Sequence, residues 1–448
     1  MKKILAYGGK KISRVGFFGL GASNLAVFNH LFRNYEGLSF SLYADGGASL
    51  PKEAEGLFSL GAKDKIDTDM LFLSPSVRRD RKEIEDARRR GVILCSDVEF
   101  FFGRRNVTVI AVTGTDGKST TASLASVMLS ENGDFPASAN IGLPMTELLS
   151  KDDLRGTVAE LSSFQLMDFA PPSKRALITN ISENHLDWHT SMEEYVRAKE
   201  NILLLAEQRV FNLDCPYGRR FAEKYPAYAV YSAHLSYAEM KDVAIANHYF
   251  SSENGRILLS GEILSDEVPF PLPGKHNLSN FLAALSLSYE LMPTEKILDS
   301  SRGFQGLSHR IERVGEWNGI TFLDSSIDST PKRTLTTLSA IKSSVVLILG
   351  GRGKELSYAP LALMPENVRE IVVYGENKDE IYSVLKDGAA SVCLADSFDD
   401  AVLIAIKKAK STDTVLLSPA STSFDSFKDY KERGKHFADL VKKYYTET

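Results

Sequence analysis

One ten-residue stretch constrains the fold of this chain more than any other feature. Residues 112–121 read VTGTDGKSTT, follow the β-branched run 107–112, and lead into a helix-like segment at 122–129. A strand, a glycine turn, a lysine, a hydroxyl and a helix form the layout of a phosphate-cradling loop. Glycines let backbone N–H groups approach phosphate oxygens, and the helix N-terminus adds partial positive charge. We therefore expect a nucleoside triphosphate to bind at the end of a strand in an α/β fold.

The loop is shorter than the common Walker loop. It reads G-x-x-G-K-S instead of G-x-x-x-x-G-K-[ST]. Lys118 would reach the terminal phosphates, and the Ser119 hydroxyl would offer Mg²⁺ a hard oxygen ligand. Glycine turns also follow strands without binding anything, but glycine, lysine and hydroxyl in this order favour a nucleotide. The predicted ATP-binding residues of the loop are Gly114, Thr115, Asp116, Gly117, Lys118, Ser119 and Thr120.

Length and a repeated strand–glycine pattern predict three α/β domains in series. The chain has 448 residues, which is too long for one ordinary core. We expect a Rossmann-like domain at 1–105, a P-loop ATPase-type mononucleotide-binding domain at 106–305, and a second Rossmann-like domain at 306–448. Within the central domain we expect a helix at about 192–205 with Ser191 as its N-cap. Short antiparallel strands are expected between residues 215 and 273.

Composition excludes several classes of function. The net charge of −5 is opposite to the basic footprint of a nucleic-acid-binding protein. Three widely spaced cysteines, with no C-x-x-C pair, indicate a reducing compartment. No stretch approaches the roughly 18 apolar residues of a membrane span. We expect a cytoplasmic protein, a monomer, without nucleic acid or membrane insertion.

Polar residues follow several predicted strands, where a parallel sheet forms its ligand crevice. Glu160 ends the strand 157–160, and His185 and Asp187 follow the next one. These residue types can bind metal ions, although an isolated glutamate or histidine is more often structural. Lys199 lies in a predicted helix, where a solvated lysine would be unremarkable. Asn277 and Asn280 share one helix face and could meet the edge of adenine, although Asn277 could also be only an N-cap.

Together these pieces resemble the Mur ligase family, ATP-dependent amide-forming enzymes of peptidoglycan precursor assembly. Order and spacing agree over nearly the whole chain. The matching pieces are TGTDGKST at 113–120, NIG at 140–142, ELSSFQ at 160–165, NHLD at 184–187, Lys199, GKHN at 274–277, HRIE at 309–312 and DS at 324–325. The segments at 19–23, 74–77, 96–101 and 417–427 are similar to those of members that join D-glutamate to UDP-N-acetylmuramoyl-L-alanine.

The resemblance implies that ATP phosphorylates the carboxylate of the UDP-linked alanine and that the amine of D-glutamate attacks the acyl phosphate. It also implies two Mg²⁺ ions, one served by Ser119 and Glu160 and the other by His185 and Lys199, with Lys199 carbamylated. Lys118, Glu160, His185 and Lys199 are the implied catalytic residues. On the nucleotide side it assigns Asn277, Asn280 and His309 to adenine, Asp324 to ribose and Arg310 to phosphate. The implied UDP-sugar and amino-acid contacts are Gly21, Ala22, Ser23, Asp45, Ser74, Asn140, Gln165, Lys354, Ser423 and Tyr430.

Three positions depart from the family pattern. Asp116 replaces an asparagine of the loop, and Gly46-Gly47 replaces a hydroxyl and an arginine near the diphosphate, a role that Arg78 or Arg79 could take. Ser326 replaces a lysine that helps to hold the glutamate side chain, a role that Lys332 or Arg333 could take. The alternatives are a Mur-type or folylpolyglutamate-type ligase with a different acceptor or amino acid, and a nucleotide-binding homologue without catalysis.

Overall fold

The computed structural model describes residues 3–44, 56–186, 188–272, 274–304, 306–353 and 357–447. Contacts divide the chain into two compact units, Met1–Phe304 and Gln305–Thr448. Both units are mixed α/β, which confirms the predicted fold class. The three domain boundaries drawn from the sequence stay a prediction. Among the described residues, no helix combines the length and the apolar character that a membrane crossing requires.

The first unit begins with a short hairpin and a five-stranded parallel sheet. The sheet has the order β5-β4-β3-β6-β7, and β6 is buried along its whole length, as expected for a parallel strand covered on both faces. Phe17, Phe28 and Phe72 meet in its core. The elements are β1 (Ala6–Tyr7), β2 (Lys10–Lys11), β3 (Arg14–Phe18), α1 (Ala22–Asn34), β4 (Ser39–Tyr43), β5 (Phe58–Leu60), β6 (Met70–Leu73), α2 (Lys82–Arg89), β7 (Ile93–Cys95) and α3 (Asp97–Phe102).

A nine-stranded sheet forms the rest of the first unit. Its order is β16-β15-β14-β13-β12-β11-β8-β10-β9, and β8 leads directly into the glycine loop. The elements are β8 (Thr108–Thr113), α4 (Lys118–Leu129), β9 (Ala137–Ala139), β10 (Gly156–Glu160), α5 (Ser163–Leu166), β11 (Ser173–Ile178), α6 (Met192–Leu204), β12 (Ala206–Asn212), α7 (Pro216–Lys224), β13 (Ala227–Tyr231), α8 (Tyr237–Val243), β14 (Ala246–Glu253), β15 (Arg256–Leu259), β16 (Glu262–Ser265), α9 (Lys275–Ser288) and α10 (Thr294–Arg302), with a 3₁₀ helix at Met145–Ser150.

Two local predictions for this sheet are confirmed. Strands β14, β15 and β16 pair antiparallel, whereas the remaining pairs are parallel. Ser191 caps α6, because its hydroxyl accepts a hydrogen bond from the Glu194 backbone N–H. Helix α4 begins at Lys118, earlier than the helix-like pattern at 122–129, because Gly117 in a left-handed conformation turns the chain directly into the helix.

The second unit contains a six-stranded sheet of order β17-β18-β22-β19-β20-β21, in which only β17 pairs antiparallel among the described strands. Strand β19 is buried throughout, and helices cover both of its faces. The elements are β17 (Glu312–Trp317), β18 (Ile320–Asp324), α11 (Pro331–Ser339), β19 (Val345–Gly350), β20 (Val368–Tyr374), α12 (Lys378–Leu385), β21 (Ser391–Leu394), α13 (Phe398–Lys408), β22 (Thr414–Leu417) and α14 (Tyr430–Glu447), with a 3₁₀ helix at Ala359–Leu363.

Candidate active site

The loop between β8 and α4 has the shape of an anion cradle. Gly114 and Gly117 have φ angles of 149° and 77°, in the region that favours glycine. Gly117 is the N-cap of α4 and no side chain caps this helix, so its first N–H groups face the loop. A Cβ on Gly114 would overlap Thr179 Oγ1, and one on Gly117 would overlap Asn280 Oδ1. The loop is therefore restricted to glycine at both positions.

We expect Gly117→Ala to weaken nucleotide binding by about tenfold or more, because the side chain adds both left-handed strain and a clash with Asn280. Gly133→Ala is the matched control: φ is +82° there, but nothing lies within 4 Å of the added Cβ. Both variants should lose some stability in thermal unfolding. Calorimetric titration with ATP should separate them, and equal affinities would contradict the cradle.

Backbone groups of Asp116 are braced by two residues that follow β11. Its N–H donates to Asn180 Oδ1 at 2.9 Å, and its carbonyl accepts from Thr179 Oγ1 at 2.6 Å and from Asn180 Nδ2 at 3.1 Å. Asp116 itself is exposed. The departure from asparagine at this position therefore places a carboxylate at the solvent side of the loop.

The side-chain amino groups of two lysines donate hydrogen bonds to backbone carbonyls of the same loop. Lys118 Nζ donates to the Thr115 carbonyl at 2.8 Å, and Lys199 Nζ donates to the Gly114 carbonyl at 2.7 Å. Lys199 is only 2% exposed. Burial first, and the Lys118 charge second, hold the pKa of Lys199 well below its usual range, against the opposing charges of Glu160 and Asp116. The Lys199 amine is therefore suited to be neutral, unlike a solvated helix lysine.

Glu160 is the last residue of β10, which pairs with β8, the strand that leads into the glycine loop. The residue is buried, at 1% exposure. Asn140 Nδ2 donates to Glu160 Oε1 at 2.8 Å, and the Asn140 backbone N–H donates to the Glu160 carbonyl at 3.0 Å. Glu160 Oε2 is buried without a hydrogen-bond partner. A buried carboxylate oxygen left unpaired is costly, and a hard divalent cation would satisfy it. The residues present thus fit Mg²⁺.

His185 occupies an exposed turn with φ of 55°, and its ring lies 5.0 Å from that of Phe164. The backbone N–H groups of Trp188 and His189 donate to the His185 carbonyl at 3.1 and 2.9 Å. This turn holds the His185 ring at the surface on the Phe164 side. Asp187 lies outside the described residues, as do the predicted substrate contacts Asp45 and Lys354 and the pair Gly46-Gly47.

His189 is a buried residue that sequence reasoning missed. Its Nε2 lies 2.9 Å from Ser163 Oγ, and its Nδ1 lies 3.4 Å from Glu194 Oε2. Burial lowers the pKa of His189 below its usual value, although the Glu194 charge acts in the opposite direction. In the sequence, the one feature that points to His189 is that it is a second histidine four residues after His185.

Asn280 lies on the loop side of α9. Its Oδ1 faces Gly117 and is 3.5 Å from Thr121 Oγ1, while Asn277 is half-buried in the first turn of the same helix. Helix α4 packs along α9, which explains this approach. The assignment of both asparagines to adenine stays a prediction, and Asn280 also shapes the phosphate loop.

The predicted UDP-sugar residues of the first sheet lie at the N-terminus of α1 and after β6. Gly21 and Ala22 are exposed, and Ser23 is half-buried. Asn24, which the sequence did not reveal, donates through Nδ2 to the Gly19 carbonyl at 2.7 Å and to Ser74 Oγ at 3.2 Å. Ser23, Ser74 and Gln165 line a cavity of about 530 Å³.

Gln165 also takes part in a capping box of helix α5. Its Oε1 accepts from the backbone N–H of Ser162 at 2.9 Å. This hydrogen bond fixes the side chain at the wall of the cavity.

The structure does not support Arg78 or Arg79 as a free diphosphate grip. Arg78 pairs with Asp80 at 2.6 Å and with Glu194 at 3.1 Å, and Arg79 pairs with Glu99. Because their guanidinium groups already neutralise carboxylates, neither is an uncommitted cation. The Arg78 hydrogen bonds lower the pKa of Glu194 to about 2, so the Arg78–Glu194 pair is charged at neutral pH.

In the second unit, His309 and Asp324 form a hydrogen-bonded pair. His309 Nδ1 lies 2.7 Å from Asp324 Oδ2, and the His309 backbone N–H donates to Glu312 Oε2 at 2.6 Å. These three residues could also bracket a cation, but they already satisfy one another. A Cβ on Gly434 would overlap Asp324 and His309, so the last helix approaches the pair closely. Arg310 is half-buried beside His309.

We expect the stability that His309 contributes to fall as pH rises. The hydrogen bond to Asp324, helped by the charges of Asp324 and Glu312 and opposed by Lys431 and by burial, raises the pKa of His309. This contribution is complete below the unfolded value of about 6.5 and is lost as pH rises through the folded pKa.

The stability lost on His309→Gln, measured by denaturant unfolding, should be larger near pH 6 than near pH 9. His248→Gln is the control, because burial lowers the pKa of His248 and the pH dependence should reverse. A loss for His309→Gln that does not change with pH would contradict the expected pair.

The loop after β22 is held by a buried arginine. Arg433 is fully buried and donates to the carbonyls of Ser326 at 3.0 Å, Ser421 at 2.9 Å and Thr422 at 3.1 Å. Ser423 in this loop is buried, and the Tyr430 ring lies 5.9 Å from that of His309. These are two of the predicted amino-acid contacts.

Ser326 is buried, and its hydroxyl has no hydrogen-bond partner. Lys332 and Arg333 are exposed on α11, and Arg333 Nη1 donates to the Ile327 carbonyl at 3.4 Å. Asp425 Oδ1 and Oδ2 are also buried without a partner, and burial raises the pKa of this carboxyl. The second unit thus contains unsatisfied polar atoms around the loop 421–425.

Two family models match the chain. The Mur ligase middle domain covers residues 112–288, and the Mur ligase glutamate ligase domain covers residues 309–421. Among curated relatives, the UDP-N-acetylmuramoylalanine–D-glutamate ligase of Acetivibrio thermocellus is 36% identical and is matched over 96% of each chain. The protein of the same name from Ruminiclostridium cellulolyticum is 34% identical, over 96% of this chain and 97% of its own.

Solved structures show the same fold at lower identity. The UDP-N-acetylmuramate–alanine ligase of Thermotoga maritima has a TM-score of 0.60 and 18% identity, over 97% of this chain and 100% of its own. A pseudomurein peptide ligase of Methanothermus fervidus has a TM-score of 0.54 and 17% identity, over 96% of this chain and 99% of its own.

Proposed function

The chain belongs to the Mur ligase family, ATP-dependent ligases of peptidoglycan synthesis, and on this premise we propose that it joins D-glutamate to UDP-N-acetylmuramoyl-L-alanine. One observation carries the proposal: the phosphate loop, the unpartnered oxygen of Glu160 and the buried Lys199 meet at the end of β8. Relatives that match 96% of the chain, N-terminal sheet included, favour this acceptor over a folate.

In this reaction ATP phosphorylates the acceptor carboxylate, and the amine of D-glutamate displaces phosphate from the acyl phosphate to form the amide. The loop N–H groups and Lys118 bind the phosphates and offset the charge of the phosphoryl group in transfer. Ser119 and Glu160 would hold one Mg²⁺, and His185 and Lys199 the other. When bound, the two ions reduce the repulsion between ATP and the carboxylate.

Carbamylation would make Lys199 a better ligand for Mg²⁺. An ammonium cannot coordinate a cation, and a neutral amine offers nitrogen where Mg²⁺ prefers oxygen, whereas a carbamate presents an anionic oxygen. The depressed pKa of Lys199 favours the neutral amine, which attacks CO₂, forms an N–C bond and releases a proton. We therefore include a carbamylated Lys199 in the proposed site.

The remaining assignments form part of the proposal. Residues 1–105 would bind the UDP-sugar, 106–305 ATP, and 306–448 the amino acid, in a cytoplasmic monomer. Of the described residues, Gly21, Ala22, Ser23, Ser74, Asn140 and Gln165 serve the UDP-linked substrate, Ser423 and Tyr430 the amino acid, and Asn277, Asn280, His309, Arg310 and Asp324 the nucleotide. The cavity between Ser23, Ser74 and Gln165 supports the acceptor site.

A matrix of UDP-linked acceptors against amino acids, read by phosphate release, tests the proposal. Phosphate should appear only when ATP, UDP-N-acetylmuramoyl-L-alanine and D-glutamate are all present. L-glutamate and D-aspartate are the matched amino acids for comparison. They test specificity for the side chain, because Ser326 stands in place of the lysine that the family pattern assigns to holding it. Turnover with another amino acid and none with D-glutamate would overturn the assignment.

A further inference from the structure

Arg78 joins two loops that belong to different sheets of the first unit. It lies in the loop that follows β6 and carries Ser74, which we call the acceptor loop (residues 74–80). Its partners lie in the turn and first helical turn formed by residues 185, 186 and 188–194, which we call the histidine turn. Arg78 Nη1 donates to the Trp188 carbonyl at 2.8 Å, and its guanidinium contacts both oxygens of Glu194 at 3.1 Å.

Further contacts make this junction stronger than one surface ion pair. Trp188 Nε1 donates back to the Ser76 carbonyl at 2.8 Å, and the Arg78 guanidinium lies 4.9 Å from the Trp188 ring centroid. The side chains of Arg78 and Glu194 are 21% and 9% exposed. A bidentate, partly buried guanidinium holds its partner in one orientation, which an exposed pair does not.

Glu194 passes this constraint to the residues of the candidate active site. Its Oε2 accepts the Thr190 backbone N–H at 2.8 Å, and it is the third residue of α6, the helix that carries Lys199. His185 lies in the same turn, and Arg78 donates to the backbone carbonyl of Trp188 in that turn. Arg78 therefore connects the acceptor loop to the elements that carry His185 and Lys199.

We propose that Arg78 is a positioning residue that fixes the acceptor loop against the histidine turn, so that the acceptor carboxylate meets the phosphate site in one register. This inference rests on the proposed function. Arg78 would act by positioning other residues and would not itself contact the diphosphate, which is the role that the sequence analysis considers for it. Displacements near one ångström are enough to slow a group transfer considerably, which is why such a junction matters.

The kinetic test compares Arg78→Ala and Arg78→Lys with Arg89→Ala. Arg89 also pairs with two carboxylates, Glu85 and Asp86 at 3.2 Å, but within α2 and at 72% exposure. For Arg78→Ala we expect kcat/KM for the UDP-linked acceptor to fall about tenfold or more, with KM for ATP nearly unchanged. Arg78→Lys should recover part of this loss, and Arg89→Ala should match the wild type. Equal kinetics for Arg78→Ala and the wild type would overturn the proposal.

Hydrogen exchange on the substrate-free protein separates positioning from general destabilisation. Arg78→Ala should raise exchange in both segments, 74–80 and 185–194, while α4 keeps its protection. Faster exchange in only one segment, or throughout the unit, would overturn the proposal. If the wild type released no phosphate with D-glutamate, the proposed function would fail. The exchange result would still decide whether Arg78 couples the two segments.

Discussion

Lys118→Ala should lower kcat for phosphate release about a thousandfold, because it removes the loop cation that offsets charge on the transferred phosphoryl group. The fall in kcat should be larger than the removal of the Lys118 charge alone would cause. The Lys118 charge also lowers the pKa of Lys199, so the variant should leave more of Lys199 as an ammonium. Two groups of the candidate site would then be impaired by one substitution.

Phosphate release with saturating ATP, acceptor and D-glutamate measures this effect. Lys174→Ala is the control, since Lys174 is a half-buried lysine of the same unit that pairs with Glu207 at 2.7 Å. The result also separates an enzyme from a nucleotide-binding homologue, which has no turnover to lose. A Lys118→Ala protein that ligates at the rate of the wild type would contradict the role given to the loop.

Lys199→Met should affect activity far more than stability. Methionine fills a similar volume and removes the cost of burying an amine, but it also leaves the Gly114 carbonyl without the hydrogen bond from Lys199, so the free energy of unfolding should change little. The kcat should fall about a thousandfold, because methionine cannot form a carbamate for the second metal. Thermal unfolding and phosphate release on the same preparation measure both effects.

The wild type offers an independent check of the modification. Removing dissolved CO₂ should lower its activity reversibly, and bicarbonate should restore it, whereas the variant should respond to neither. Carbon-13 bicarbonate should produce a carbamate signal in the wild type alone. Full activity without CO₂ would contradict carbamylation while leaving the ligase proposal intact.

The sequence predicted those parts of the site that depend on local patterning. The pattern predicts Glu160 at a strand end, and β10 does end there beside β8, because alternation of strands and helices brings such ends to one edge. Ser191 is predicted as an N-cap from its residue type and its place directly before the helix, and its hydroxyl makes that bond. Both features depend only on the few residues that surround them in the chain.

Pairings between distant residues could not be predicted in the same way. Arg78 and Glu194 are 116 residues apart, and nothing in either segment specifies the other. Asn280 has a helix face that periodicity predicts, but only packing of α9 on α4 places it against Gly117. The burial of Arg433 is a similar case, because an arginine in a polar helix is normally solvated.

The position of Arg433 has a consequence for how the protein is made. The loop 421–423 is held partly by an arginine in α14, which is synthesised after every strand of its sheet. During synthesis from the N-terminus the sheet can form first and Thr422 can pair with Arg352, but the three Arg433 hydrogen bonds to backbone carbonyls form only when α14 has left the ribosome and docked. A nascent chain arrested before Tyr430 would therefore carry a complete sheet, whereas the proposed amino-acid site would lack the contacts of Arg433 and Tyr430.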